Sequence, residues 1–418
     1  MKHAQAGLMW ATGRFPVFFM EIDMFKRTKL QQVIAGALLL AALPMASLAQ
    51  GKDPVRIGLV TSKSGAFSTM GADVANGIKF AVDEANARGG VDGRQVVLAE
   101  GDDESTPDAG RRVAEKLARD GHNLIIGPIT SSISLVISQN LARWDAAFIG
   151  TISKSDKLTS DTCNPRFVRT NHSDAMDLAM IGEWLKGIEG NSFGILAADY
   201  VWGQDSAKAF EAAVTAQGKK VAVKLFAPLG TKDYAPYIQQ LKAANVDAIW
   251  VADASGAIAF VKQATDFNLM PKTPIIGHAL VSNFVINATG KAMTNVPGNV
   301  GFTPDIDTPQ TKAFVNAFKA KYNRLPSDTE GQAYNGAMVL FQGVTLAKSV
   351  QPEAVTKALR GAQVDSLYGK VTVRAADNQM VIPNYVARVK MADGVLRPVI
   401  ERSYPASITP AASPLCKM

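Results

Sequence analysis

Two short stretches each place three hydroxyl side chains immediately after an apolar run. These residues are Thr130, Ser131 and Ser132 after "LIIGPI", and Thr151, Ser153 and Ser155 after "AAFIG". A helix that starts at such a point leaves backbone N–H groups unpaired and carries a partial positive charge, so it can bind a carboxylate or another anion. The alternative is that one hydroxyl caps each helix. Hydroxyls at two neighbouring strand ends favour the anion site, because capping alone does not require both.

Large apolar side chains follow other predicted strand ends and are candidates to cover the uncharged part of a ligand. They are Phe67, Met70, Tyr200, Trp202 and Phe302. A single aromatic residue is more often part of the core than of a binding site. Positions beyond a strand end favour a ligand contact for Phe67 and Trp202 in particular. Further candidates in the strand-end loops are Ser255, His278 and Ala279.

Catalytic and metal-binding motifs are absent from the sequence after residue 49. Its three histidines, His122, His172 and His278, lack the spacing of metal ligands. The sequence has no G-x-S-x-G nucleophile motif and no G-x-G-x-x-G dinucleotide motif. We therefore expect a binding protein rather than an enzyme, with no metal and no cofactor.

The elements that must position these residues alternate between strand and helix from residue 55 onward. "VRIGLV", "VVLAE", "NLIIG" and "AAFIG" are apolar runs typical of buried strands. Thr106, Pro107 and Gly121 mark the start and end of one helix, and a helix is predicted over residues 134–141. The alternation resumes at "SFGILAAD" after a break near residues 165–172. Repeated β-α units predict parallel sheets, and two such series predict two similar α/β lobes.

The N-terminal segment of this 418-residue chain has the pattern of a secretory signal peptide. A basic cluster, Lys26 to Lys29, precedes an apolar stretch over residues 33–46 and the cleavage pattern Ser47-Leu48-Ala49. The alternative is an internal hydrophobic helix. We expect residues 1–49 to be removed, with translation starting at Met24, and no lipid anchor because no cysteine follows the apolar stretch. The protein is expected in the periplasm or outside the cell.

Charge and cysteine content constrain the partners and the compartment. Part of the formal net charge of +7 lies in residues 1–49, and no basic stripe is interleaved with aromatic residues. We therefore expect no nucleic-acid partner. The two cysteines, Cys163 and Cys416, favour one disulfide in an oxidising compartment, and the alternative is two free thiols.

The order of segments resembles the periplasmic ligand-binding proteins of branched-chain amino acid ABC transporters. "IGLVTSKSGAFSTMGADVANGIKFAVDEANARGG", "IIGPITSS", "LAADYVWG" and "AIWVADASGAIAFVKQA" carry the resemblance. It implies the type I periplasmic-binding-protein fold, in which two Rossmann-like lobes joined by three crossovers close on a ligand. The implied lobes are residues 54–171 with about 302–380, and residues 172–301 with about 381–402, before a tail of residues 403–418. The implied partner is a membrane permease, and the implied state is a monomer.

The same resemblance assigns roles to the hydroxyl loops. Ser131 and Ser132 would bind the ligand carboxylate with Thr130 beside them, and Ser153 and Ser155 would be contacts from the second loop. Lys154, in that loop, adds positive charge if it faces the cleft and has no role if it faces solvent.

One departure from the family pattern bears on the ligand. Where amino-acid binders place an acidic residue against the α-ammonium group, this chain has Ala279. A buried ammonium without a partner costs several kcal/mol. We therefore expect a small organic carboxylate, with an aromatic acid as the leading ligand, rather than an ordinary α-amino acid. The alternatives are a branched-chain amino acid, a neutral amide or urea, and a ligand-sensing module of a signalling receptor.

Two further segments, "LTSDTCNPRFVRT" and the tail "ASPLCKM", resemble a branch of the family that carries aromatic and other organic acids. That resemblance also supports pairing of Cys163 with Cys416.

Overall fold

The first sheet of the computed structural model is formed by five parallel strands. The model describes residues 52–418, and the predicted signal peptide lies outside the described residues. The strands are β1 (Val55–Thr61), β2 (Val96–Asp102), β3 (Leu124–Gly127), β4 (Ala147–Gly150) and β5 (Phe167–Arg169). Their order in the sheet is β2-β1-β3-β4-β5, and each neighbouring pair is parallel.

Three helices connect these strands: α1 (Ser68–Ala87), α2 (Pro107–Arg119) and α3 (Ser131–Ser138). Helix α2 starts as predicted, because the Thr106 side chain accepts a hydrogen bond from the backbone N–H of Ala109. The predicted bounds of α3, residues 134–141, are wrong by three residues. Thr130 accepts a hydrogen bond from the N–H of Ile133 at 3.4 Å and so starts the helix at Ser131.

The second sheet contains seven strands and is mostly parallel. Its strands are β6 (Ser192–Ala198), β7 (Lys220–Ala227), β8 (Ala248–Ala252), β9 (Ile275–Gly277), β10 (Pro297–Val300), β14 (Asn384–Ala392) and β15 (Val395–Tyr404). Their order is β15-β14-β10-β9-β8-β6-β7, with β14 and β15 antiparallel to their neighbours. The associated helices are α4 (Asp174–Leu185), α5 (Val201–Thr215), α6 (Ala235–Ala244), α7 (Ala257–Asp266) and α8 (Asn283–Thr289).

Between β10 and β14 the chain forms three helices and a small antiparallel sheet. These are α9 (Pro309–Tyr322), α10 (Asp328–Ala347), α11 (Pro352–Leu359), β11 (Gln363–Ser366), β12 (Gly369–Val373) and β13 (Met380–Val381). Helix α10 packs along α1, where a side chain at Gly77 would lie 2.4 Å from the carbonyl oxygen of Glu330. This segment therefore belongs with the first sheet.

We call the first sheet with α1–α3 and α9–α11 the first lobe, and the second sheet with α4–α8 the second lobe. The chain crosses between the lobes after β5, after β10 and after β13. The α/β architecture of two parallel-rich lobes is as predicted. Among residues 52–418, no helix is long and apolar enough to cross a membrane.

The C-terminal tail returns from the second lobe to the first. Cys416 forms a disulfide with Cys163, which lies between β4 and β5. Arg374 of the first lobe also donates a hydrogen bond to the carbonyl oxygen of Pro410 at 2.7 Å. The tail is thus a further connection between the lobes, in addition to the three crossovers.

Candidate ligand-binding site

A small cavity of about 40 Å³ is lined by residues that follow the carboxyl ends of strands in both lobes. This position is where open parallel sheets bind ligands. The lining residues are Phe67, Met70, Ile129, Ser131, Ile152, Ser153, Lys154, Tyr200, Trp202, Ala254 and Ala279. Seven of them are predicted ligand-binding residues, namely Phe67, Met70, Ser131, Ser153, Tyr200, Trp202 and Ala279.

The hydroxyl groups at the cavity hold the two loops of the first lobe together. The Ser131 hydroxyl oxygen accepts hydrogen bonds from the backbone N–H groups of Lys154 at 3.3 Å and Ser155 at 3.1 Å. Ser134 donates to the Ser153 hydroxyl oxygen at 2.8 Å. Ser131 keeps its own hydroxyl proton to donate, so it can both fix the second loop and bind an acceptor.

The remaining predicted residues do not line this cavity. The Thr130 side chain caps α3, and Ser132 is half-buried outside the cavity. Ser155 donates to a carboxylate oxygen of Asp205 at 2.5 Å, and Ser255 donates to Asp253 at 2.9 Å.

Phe302 lies against a different and larger cavity, of about 930 Å³, between α8, the start of α10 and the β14–β15 hairpin. Its ring packs on Phe314 with centroids 5.7 Å apart. The sequence placed Phe302 beyond a strand end, but the chain crosses back to the first lobe at that point and buries the ring in its core.

Aromatic side chains from both lobes form one wall of the small cavity. The Phe67 ring of the first lobe lies 6.5 Å from the Tyr200 ring of the second, and Tyr200 lies 5.9 Å from Trp202. The Trp202 indole N–H is buried without a hydrogen-bond partner among the described residues. This wall can cover a flat apolar group and still offers one donor.

Lys154 is the single charged side chain among the residues that line the cavity. Its ammonium nitrogen lies 2.5 Å from Oδ2 of Asp177 on α4, and the two side chains are 9% and 1% exposed. Burial by itself would raise the pKa of the Asp177 carboxyl, but Lys154 and His278 outweigh it and hold that pKa below its ordinary value. The Asp177 carboxyl is therefore ionised, and its salt bridge with Lys154 joins the two lobes.

His278 lies behind the cavity wall in a fully buried hydrogen-bonded chain. Its Nε2 is 3.1 Å from Oδ2 of Asp177, and its Nδ1 is 2.7 Å from the hydroxyl of Ser206. The Trp250 indole N–H donates to the same hydroxyl at 3.0 Å. Burial lowers the pKa of His278 below its ordinary value despite the neighbouring Asp177, so the ring is neutral at pH 7.

Asp174 adds a second buried carboxyl group on α4. Neither of its oxygens has a hydrogen-bond partner among the described residues. Burial and the nearby carboxylates of Asp156 and Asp177 raise its pKa well above the ordinary value. These effects favour the protonated form of Asp174.

The backbone of Ala279 is in the left-handed region, with φ of +58°. This conformation is uncommon for a residue with a Cβ atom and is found where the surrounding structure enforces it, frequently at binding sites. The small Ala279 side chain lines the cavity.

Four lining residues were not among the predicted contacts: Ile129, Ile152 and Ala254 were missed, and the orientation of Lys154 was left open. All four lie in strand-end loops that the sequence marked, so the strand-end rule was the available signal. Among residues 52–418 no cluster of His, Cys, Asp or Glu is arranged to hold a metal ion. The geometry fits an anion with an apolar body.

Comparison with known proteins assigns the chain to a family. The family model described as periplasmic binding protein matches residues 54–394, and the chain belongs to this family. The Leu/Ile/Val-binding protein BraC3 of Rhizobium johnstonii is 30% identical over 346 residues, which cover 80% of this chain and 91% of that protein.

Two solved structures share the fold. One is a solute-binding protein of an ABC transporter from Rhodopseudomonas palustris BisB5, in complex with 3,4-dihydroxybenzoic acid. It matches with a TM-score of 0.77 at 23% identity, and the match covers 84% of this chain and 97% of that protein. The other is the Leu-, Ile-, Val-, Thr- and Ala-binding protein of Brucella ovis, with a TM-score of 0.77 at 20% identity. This match covers 87% of this chain and 99% of that protein. At these identities the match shows the fold, which confirms the type I architecture.

Proposed function

We propose that this protein is the solute-binding component of an ABC importer and closes its two lobes on a small organic carboxylate, with an aromatic acid as the leading ligand. It would act in the periplasm after removal of the signal peptide predicted for residues 1–49, and deliver the ligand to a membrane permease. The observation that carries the ligand class is the charge of the cavity lining, which includes Lys154 and no Asp or Glu.

The polar side of the cavity fits a carboxylate. The Ser131 hydroxyl and the N-terminus of α3 supply donors and a partial positive charge, and the ammonium of Lys154, although paired with Asp177, supplies further N–H donors. The aromatic side fits a ring, because Phe67, Tyr200 and Trp202 lie in one continuous wall. A concave site with apolar walls and few placed polar groups is typical of small-molecule binding.

An α-amino acid is less well matched to the cavity. Its ammonium group would meet Ala279 and Ala254 of the second lobe instead of a carboxylate. The buried carboxylate of Asp177 is already paired with Lys154, and Asp174 is not among the lining residues. An unpaired buried ammonium costs several kcal/mol.

The second candidate is a branched-chain amino acid. The relative from Rhizobium johnstonii that is 30% identical carries the name Leu/Ile/Val-binding protein, and this similarity favours the candidate. Binding of leucine would require a carboxylate such as Asp174 to reach the cavity.

Calorimetric titration of the protein with benzoate, benzamide, phenylalanine and leucine tests the proposal. Benzamide removes the carboxylate charge from benzoate, and phenylalanine adds an ammonium group to an aromatic acid. We expect benzoate to bind at least about tenfold more tightly than the other three, a difference of about 1.4 kcal/mol. Tight binding of leucine with none of benzoate would contradict the proposal and identify an amino-acid receptor.

A further inference from the structure

The charged groups at the cavity and behind its wall offer no net positive charge to an anion. The ammonium of Lys154 is neutralised by Asp177 at 2.5 Å. Burial raises the pKa of the Asp174 carboxyl well above its ordinary value, and burial lowers the pKa of His172 to about 4. A carboxylate that enters this closed site therefore adds one buried negative charge, which is costly unless a positive charge appears with it.

We propose that this protein binds its anionic ligand together with one proton, and that His278 takes up that proton. The inference rests on the proposed function, since it requires a negatively charged ligand in the small cavity. The step is a protonation: a neutral imidazole gains H⁺ from solvent, becomes imidazolium, and offsets the ligand's charge.

The position of His278 fits this role. Its ring lies 5.1 Å from the ring of Trp202, which lines the cavity, so one side chain separates it from the ligand. The ring of Trp250 lies 5.2 Å from the imidazole ring. An indole ring within about 6 Å of a cation can stabilise it.

Both ring nitrogens of His278 keep a partner when the ring is charged. In the neutral ring, Nε2–H donates to Asp177, and the Ser206 hydroxyl donates to Nδ1. After protonation, the Ser206 oxygen accepts from Nδ1–H as well as from Trp250, and the Ser206 hydroxyl proton turns away from Nδ1. The change needs only a hydroxyl rotation.

The other ionisable groups that face His278 are poorer acceptors of the proton. Asp177 is held ionised by Lys154. Asp174, whose Oδ1 is 3.6 Å from Nε2 of His278, has a pKa raised by burial, which favours its protonated form before the ligand binds. The Nδ1 of His172 is 4.0 Å from Asp177, and its Nε2 faces the carbonyl oxygen of Pro383 at 2.8 Å. The charge of Asp156 raises the pKa of His278 and so favours the charged form of the ring.

Titration calorimetry with benzoate in two buffers of different ionisation enthalpy, phosphate and Tris, measures the number of protons taken up. At pH 7 we expect uptake approaching one proton per benzoate. The affinity should also rise as pH falls from 8 to 6, by up to about tenfold per unit. The His278→Asn variant should bind benzoate with no proton uptake and a flat pH profile. His122→Asn, which alters a half-buried histidine of the first lobe, should keep the uptake.

The outcomes separate this inference from the proposed function. If benzoate binds without proton uptake, the inference is wrong and the proposed function stands. If uptake persists in His278→Asn, another group takes the proton and the assignment to His278 is wrong. If benzoate does not bind while leucine does, both the inference and the proposed function are wrong.

An independent readout does not depend on the variant folding. Nitrogen-15 NMR of labelled histidine should show one ring converting to imidazolium on saturation with benzoate. A spectrum in which every histidine ring keeps its protonation state would overturn the inference.

Discussion

Substituting Lys154 by Met should destabilise the protein by about 3–5 kcal/mol at pH 7, because it leaves the Asp177 carboxylate buried without a counter-ion. The magnitude follows from burial, since the two side chains are only 9% and 1% exposed and their charged atoms are 2.5 Å apart. An exposed ion pair would contribute no more than about 1 kcal/mol. The double variant Lys154→Met with Asp177→Asn removes both charges and should regain most of the loss.

The pH dependence of this effect has a defined sign. In the native protein the pKa of Asp177 is held low, so its contribution is present at neutral pH and is lost as pH falls through that pKa. Without Lys154, burial raises the same pKa, and protonation relieves the unpaired charge. The stability difference between the protein and Lys154→Met should therefore shrink as pH falls from 7 toward 4.

Urea unfolding of the protein, both single variants and the double variant forms the assay. Lys157→Met removes an exposed charge three residues away and should change the free energy of unfolding by no more than about 0.5 kcal/mol. A loss of less than about 1 kcal/mol in Lys154→Met, or a double variant as unstable as the single one, would refute the reasoning.

Three further predictions test the cavity, the tail and a second titrating group. Ser131→Ala should weaken benzoate binding about tenfold in calorimetry, because the hydroxyl fixes the second loop, whereas Ser132→Ala should change it by less than about twofold. Replacing Cys163 and Cys416 by Ser should lower stability toward urea by about 5 kcal/mol, given their separation of 253 residues, and unchanged stability would exclude a role for the disulfide. Burial and the neighbouring Glu330 raise the pKa of Asp73 to about 7, so stability should fall as pH rises from about 4 to about 7. The Asp73→Asn variant should flatten that part of the profile of urea midpoint against pH. A profile identical to that of the unsubstituted protein would contradict the assignment to Asp73.

The strand-helix alternation could be predicted from the sequence because local patterns specify it. Apolar runs such as "NLIIG" and caps such as Thr106 act within a few residues. Strand β5 was not predicted, because its three residues, Phe167–Arg169, are too few to show a strand pattern of apolar residues. Strand β10 begins with Pro297 and Gly298, which disfavour strands, and pairing with β9 and β14 overrides that preference.

The loops of the site could be predicted from the same patterns, but their side-chain contacts could not. The strand-end rule located the loops that contain Phe67, Ser131 and Trp202. The burial of Lys154 depends on Asp177 of the other lobe, so the single loop left its orientation open. His278 likewise lies behind the cavity wall because Ser206 and Asp177 come from two helices that its own segment does not reveal.

A crystal structure of the protein with benzoate tests the proposed site most directly. We expect the ring to lie against Phe67, Tyr200 and Trp202, with the carboxylate within hydrogen-bonding distance of Ser131 or Lys154. Benzoate in the larger cavity beside Phe302, or a carboxylate that contacts neither residue, would contradict the proposed site.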